Sequence, residues 1–197
     1  MSPPCRIYVS GGFVLLAAWF VLANGWKPLV TVLGAAAVHE LGHWVVLRLL
    51  GAEVTMFCLS VLGAAMETDS GRLSYRGELA AVLAGPAANL LAALMLTVQG
   101  GNCWPAAVGA NLVLCVFNLL PIRPLDGGRA LYLLAAWTGG PEKGETVACW
   151  AGSVTAMALA VALGCVIWRT GGSLWLLPAL CGCVYWGALP WLSGLRP

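Results

Sequence analysis

His39-Glu40-Leu41-Gly42-His43 sets two imidazoles four residues apart with a carboxylate between them. On a helix, residues i and i+4 share a face, so the two rings can bind one metal ion. The intervening glutamate can then reach a water on that ion and take its proton, which is the chemistry of metal-assisted hydrolysis. These are the two histidines of the chain. They share their motif with the one carboxylate placed well inside a long apolar segment. An ionisable group there is costly without partners or water, so its default reading is functional.

Two histidines do not complete a tetrahedral site with one open position, and a third protein ligand is needed. Of the other acidic residues, Glu53, Glu67, Asp69, Glu142 and Glu145 lie beside turn residues or charges and read as solvated. Glu78 opens an apolar segment and reads as a helix N-terminal carboxylate. Asp126 stands apart, at the end of Asn118-Leu119-Leu120-Pro121-Ile122-Arg123-Pro124-Leu125-Asp126-Gly127-Gly128. Two prolines and two glycines break the helix there and expose backbone, which is tolerated at membrane depth only near protein or a cavity. Asp126 also fits a plainer role, as a turn or N-cap residue of the amphipathic stretch 127–138.

The elements that must position these residues follow from composition. Of 197 residues, ten are Lys or Arg and eight are Asp or Glu, while 60% are hydrophobic. Mean hydropathy is +0.87. A soluble domain cannot cover its surface with so few charges. That excludes a soluble enzyme and a disordered tail, and a net charge of +2 is too small for a nucleic-acid footprint. The cysteines lie mostly in apolar stretches and read as small packing residues. Crossing a bilayer takes about 20 apolar residues. Six segments qualify: 7–25, 28–50, 77–99, 103–121, 145–168 and 172–193. The expected fold is therefore an all-α polytopic membrane protein with about six transmembrane helices. Residues 52–68, partly β-branched and too short to span, predict a small β-hairpin at the membrane surface after the second helix.

Lys and Arg counts orient the spans. The side holding both termini and the 51–76 and 122–144 loops collects eight basic residues, against Lys27 and Arg169 on the other. This predicts both termini in the cytoplasm. His43 then lies seven residues before the cytoplasmic end of its span, and Asp126 just past the cytoplasmic end of span four. The three candidate ligands fall in one leaflet, within reach of cytoplasmic water.

These motifs carry a resemblance. HELGH at 39–43, Gly85-Pro86-Ala87-Ala88-Asn89, and Asn118 followed by Pro121-x-x-Pro124-Leu125-Asp126-Gly127-Gly128 resemble the site-2 protease family of intramembrane zinc metalloproteases. The layout is most similar to the bacterial stage IV sporulation protein FB branch. The resemblance implies one Zn2+ per chain held by His39, His43 and Asp126, with Glu40 as general base. It implies active-site or substrate support from Asn118, Pro121, Asn89, Gly85 and Pro86. The pair Gly85-Pro86 fits equally a kinked small-residue face for close helix packing. In the sporulation branch a CBS domain often follows; none is expected in these 197 residues.

The expected organisation is one integral-membrane metalloprotease domain over 1–197. Its catalytic core covers about 28–130, and 7–25, 145–168 and 172–193 are accessory spans. The expected function is hydrolysis of a peptide bond in or next to a membrane-associated segment of a substrate protein. By resemblance that substrate is a sporulation sigma-factor precursor. The expected partners are that substrate, regulatory membrane proteins and the lipid bilayer, without nucleic acid. The alternatives are a metal-binding or zinc-transporting membrane protein and a non-catalytic membrane scaffold. A transporter would spread ionisable groups along a path through the bilayer, whereas here they converge at one depth. A scaffold has no need of a general base.

Overall fold

The computed structural model describes residues 6–52, 54–60, 63–68, 73–99, 105–169, 181–182 and 184–185. The chain divides into two compact units, Met1–Phe117 and Asn118–Pro197.

The first unit begins with strand β1 (Arg6–Val9) and helix α1 (Gly11–Asn24). The Ser10 hydroxyl caps α1 by accepting from the Phe13 N–H at 3.2 Å. Gly25 is the single residue between α1 and α2 (Trp26–Leu49), and its φ of 84° is one that only glycine adopts readily. Strands β2 (Val54–Ser60) and β3 (Gly63–Thr68) follow, then α3 (Tyr75–Val98) and α4 (Pro105–Asn118). β2 pairs antiparallel with β3, from Val54↔Thr68 to Ser60↔Gly63, within the stretch where a hairpin is expected. The sheet has a third member: β1 pairs parallel with β2, Ile7 opposite Phe57.

That third strand shortens the first expected span. Residues 6–9 give their backbone groups to the sheet and leave α1 with 14 residues. At 1.5 Å per residue this is about 21 Å, short of a hydrocarbon core of about 30 Å. α4 is equally short. Among the described residues, three helices are long and apolar enough to cross a membrane: α2, α3 and α5 (Asp126–Arg169). The span expected at 172–193 lies outside the described residues except for four positions.

The packing of α2 on α3 positions the chemistry. Ala35, His39, His43 and Leu47 recur every four residues on α2, and Ala81, Gly85, Asn89 and Ala93 do so on α3. Residues four apart lie along one helix face, so each helix carries one stripe, of small or polar side chains apart from Leu47. The stripes meet in antiparallel order, Leu47 near Ala81 and Ala35 near Asn89. A Cβ on Gly42 would stand 2.5 Å from the Ala84 carbonyl oxygen, so the backbones approach as only glycine permits. Large apolar side chains point away: Leu41, Trp44, Leu91 and Met95 are all exposed. Small residues at the helix contact and large ones outside suit an apolar solvent. The end of α2 is fixed by Gly51 (φ 77°), with the Ala52 N–H donating to the Leu47 carbonyl at 2.9 Å. Leu47, Ala52 and Ala81 then form a buried cluster with Val46 and Leu73.

In the second unit, residues 119–125 turn back on the start of α5. A Cβ on Gly128 would meet the Ile122 carbonyl oxygen at 2.7 Å. α5 is broken at Gly140 (φ 84°, ψ 170°), followed by Pro141. The segment expected as a loop over 122–144 is therefore mostly helical, with its break confined to one glycine. Gly144 approaches the Tyr132 carbonyl so closely that a Cβ would stand 2.9 Å from it, so the two halves of α5 lie against each other. Arg123 pairs with Glu145.

Candidate metal centre

The HELGH motif lies in the middle of α2, where the helix brings both imidazoles to the α3 side. The rings meet edge to face, with centroids 4.7 Å apart and planes at 85°. The His43 Nδ1 lies 2.8 Å from the Ala81 carbonyl oxygen of α3. A carbonyl only accepts, so this nitrogen carries the proton and Nε2 carries the lone pair. His39 is buried, and its Nδ1 lies 2.7 Å from Oδ1 of Asn89. The Asn89 Nδ2 donates to the Ala35 carbonyl at 2.9 Å and to Oδ1 of Asn111 at 2.8 Å. The Asn89 amide is thus oriented with its oxygen toward His39, which must carry its proton on Nδ1 as well.

The two Nε2 atoms lie 3.1 Å apart. With both Nδ1 atoms protonated, neutral rings direct two lone pairs at each other. That arrangement is favourable only with a cation or a shared proton between them. Two nitrogens at about 2.0–2.1 Å from one tetrahedral zinc would be about 3.3–3.4 Å apart, close to what is seen. The ring orientation, the donor type and the bonds that fix each Nδ1 all fit a metal held by Nε2.

Two more expected site residues, Gly85 and Asn89, fall at this place. Gly85 faces His43: a Cβ there would clash with Nε2 and stand 2.6 Å from Cε1. Pro86 is buried within α3, and Asn89 is fully buried with both N–H groups and its oxygen bonded. Leaving such an amide unbonded would cost about 1–3 kcal/mol. Glu40 is half-buried, one residue beyond His39. In the second unit, Asn118 and Pro121 are half-buried, and Asp126 is the half-buried first residue of α5.

Two features escaped the sequence reading. The Ala81 carbonyl is backbone and leaves no residue signal. Asn111 does leave one, as a polar residue in the apolar run 103–121, where such residues invite a functional reading. It is buried, with its Nδ2 donating to the Ala107 carbonyl at 2.9 Å.

Comparison with known proteins points one way. Residues 98–162 match the model of peptidase family M50. The chain is 33% identical over 178 residues to Rip3 of Mycobacterium tuberculosis, named as a zinc metalloprotease, covering 82% of this chain and 44% of that one. It is 31% identical over 136 residues to stage IV sporulation protein FB of Bacillus subtilis, covering 66% and 47%. The chain thus spans a little under half the length of these relatives. A solved site-2 protease from Methanocaldococcus jannaschii shares the fold, with a TM-score of 0.66 at 21% identity, over 96% of this chain and 92% of that one.

Proposed function

The chain belongs to peptidase family M50, the site-2 proteases, and from that premise we propose that it is an integral-membrane zinc endopeptidase. It cuts a peptide bond in or beside a membrane-associated segment of another protein. The observation that carries this is the pair of Nε2 atoms 3.1 Å apart, each on a ring whose Nδ1 is tied to an acceptor. His39 and His43 supply two nitrogen ligands, and Asp126 supplies a carboxylate oxygen as the third. With zinc in place, the site gains a Lewis acid that polarises a carbonyl and makes water acidic near neutral pH.

Glu40 follows His39 on the same helical turn and is the proton carrier. Its carboxylate accepts a proton from the attacking water and hands it to the departing amine nitrogen. The bond cut is the C–N bond of the scissile amide, and the water oxygen stays with the new carboxylate. A substrate helix keeps its amides in internal hydrogen bonds and must unwind first. The outer edge of β3, last in the order β1-β2-β3, offers backbone partners to an extended segment, a strand-addition mode. Asn118, Pro121, Gly85 and Pro86 shape this site, and the two units work as one protease domain. The excess of basic residues supports an orientation with the termini and the site toward the cytoplasm. Similarity to stage IV sporulation protein FB supports a tethered sigma-factor precursor as a substrate, with partner membrane proteins as regulators.

The test joins metal content to cleavage. Wild type and Glu40→Gln are purified in detergent, zinc is quantified, and each is incubated with tethered sigma-precursor and transmembrane substrates. One zinc per chain in both, with cleavage by wild type alone and loss under chelator, is expected. Turnover by well-folded Glu40→Gln, or folded wild type without zinc, overturns the reading.

A further inference from the structure

We propose that Asn111 is a positioning residue: it orients the Asn89 amide, which holds His39 in the tautomer that presents Nε2 to a metal. The inference rests on the metalloprotease reading for its purpose, but not for its geometry.

The chain of bonds has a direction. It starts at the Ala107 carbonyl of α4, which can only accept. The amide it faces on Asn111 is therefore Nδ2, at 2.9 Å. That leaves Oδ1 of Asn111 toward α3, where it accepts from Nδ2 of Asn89 at 2.8 Å. The Ala35 carbonyl of α2, also an acceptor only, takes the other N–H of the same Nδ2 at 2.9 Å. Oδ1 of Asn89 must then face His39, whose Nδ1 donates to it across 2.7 Å. Flipping the Asn89 amide would put its oxygen against two acceptors at once. One of those two is Asn111. Three helices, α2, α3 and α4, thus set the proton position of one imidazole, and the backbone carbonyls of Ala107 and Ala35 anchor the two amides.

The two histidines are not held alike. His43 is tied directly to the backbone at Ala81, so its Nδ1 bond does not pass through Asn111. The proposal therefore predicts an effect on one ring and none on the other, which general loosening of the fold would not produce. Because the chain has two histidines, their four ring nitrogens can be read individually.

The test uses full-length protein in detergent with 15N-labelled histidine, the rings being assigned with a His43→Gln variant. In wild type, with and without zinc, the His39 Nδ1 is expected to carry a proton that exchanges slowly with water. Asn111→Leu keeps the shape and removes the acceptor. Its His39 Nδ1 proton is expected to exchange faster and zinc to bind about 10-fold more weakly, as for partners outside the ligand shell. The His43 Nδ1 signal stays as in wild type. Asn111→Asp is the rescue: in its protonated form the hydroxyl donates to Ala107 and the carbonyl oxygen accepts from Asn89. It is expected to restore both the His39 signal and zinc affinity. An unprotonated His39 Nδ1 in wild type overturns the proposal, whether or not Asn111→Leu folds. A folded Asn111→Leu with wild-type His39 exchange and zinc affinity overturns it too, as does equal disturbance of both rings. Wild type that binds no zinc yet shows the slowly exchanging Nδ1 proton would defeat the protease reading while leaving the relay standing.

Discussion

Each imidazole owes its orientation to one short bond at Nδ1, and each bond comes from α3: the Ala81 carbonyl for His43 and the Asn89 side chain for His39. Gly85 sits between these two anchors and is the third element of the design. It has no side chain, and the His43 ring occupies the place where one would be. Gly85→Ala should therefore displace the ring, although alanine suits a helix better than glycine by about 1 kcal/mol. Zinc affinity is expected to fall by about 10- to 100-fold or more while the helix content by circular dichroism is kept. Undiminished zinc binding in competition with a chelator would show that His43 does not need this space.

At the level of elements, α2 and α3 pack by matched stripes at a spacing of four residues, with small residues where the backbones come closest. Gly42 lies within the HELGH motif and yet serves the packing, since a Cβ there would meet both the Ala84 carbonyl and the Ala88 Cβ, the latter at 2.7 Å. Gly42→Val should push the helices apart and destabilise the fold by about 1–3 kcal/mol, the usual cost of overpacking. The thermal midpoint in detergent is expected to fall, with loss of zinc alongside it. An unchanged midpoint would mean that α2 and α3 can separate there without cost. The motif thus holds two kinds of information: His39, Glu40 and His43 for the proposed chemistry, Gly42 for the approach of the helix that fixes them. A reading of residue types alone sees the first and passes over the second.

Across the whole chain, the proposed zinc site requires a third ligand beyond the two nitrogens of the first unit. Asp126, the first residue of α5, is the candidate on which spacing and family resemblance agree. Asp126→Ala is expected to lower zinc occupancy to well below one per chain, measured by elemental analysis after dialysis. Full occupancy would mean that another group completes the site. The orientation has its own check. A fluorescent protein fused after Gly139 should light up in the cytoplasm, and one fused after Arg169 should not; the reverse pattern would invert the topology drawn from the basic residues. The apolar surface is why so much of this was legible without coordinates. A chain with eighteen charged residues in 197 can only be arranged around a bilayer, and the few polar groups inside its spans stand out for that reason. HELGH, GPAAN and the Asn118–Gly128 segment are local strings, and the spacing of four that makes His39 and His43 a pair is a property of any helix. The membrane character, the long helices α2 and α3, and the pairing of His39 with His43 on one helix face were therefore determined by sequence alone. Tertiary structure decided what depends on neighbours distant in the chain. β1 joined a sheet because β2 offered it a ladder, which cut short the first expected span. Gly140 confined the break in α5 to one residue. The tautomers of both histidines followed from the Ala81 carbonyl, 38 residues from His43, and the Asn89 amide, 50 residues from His39. A hydrogen bond is directional and its partner must be present in space, so only the packed helices could decide which nitrogen of each ring faces the other ring.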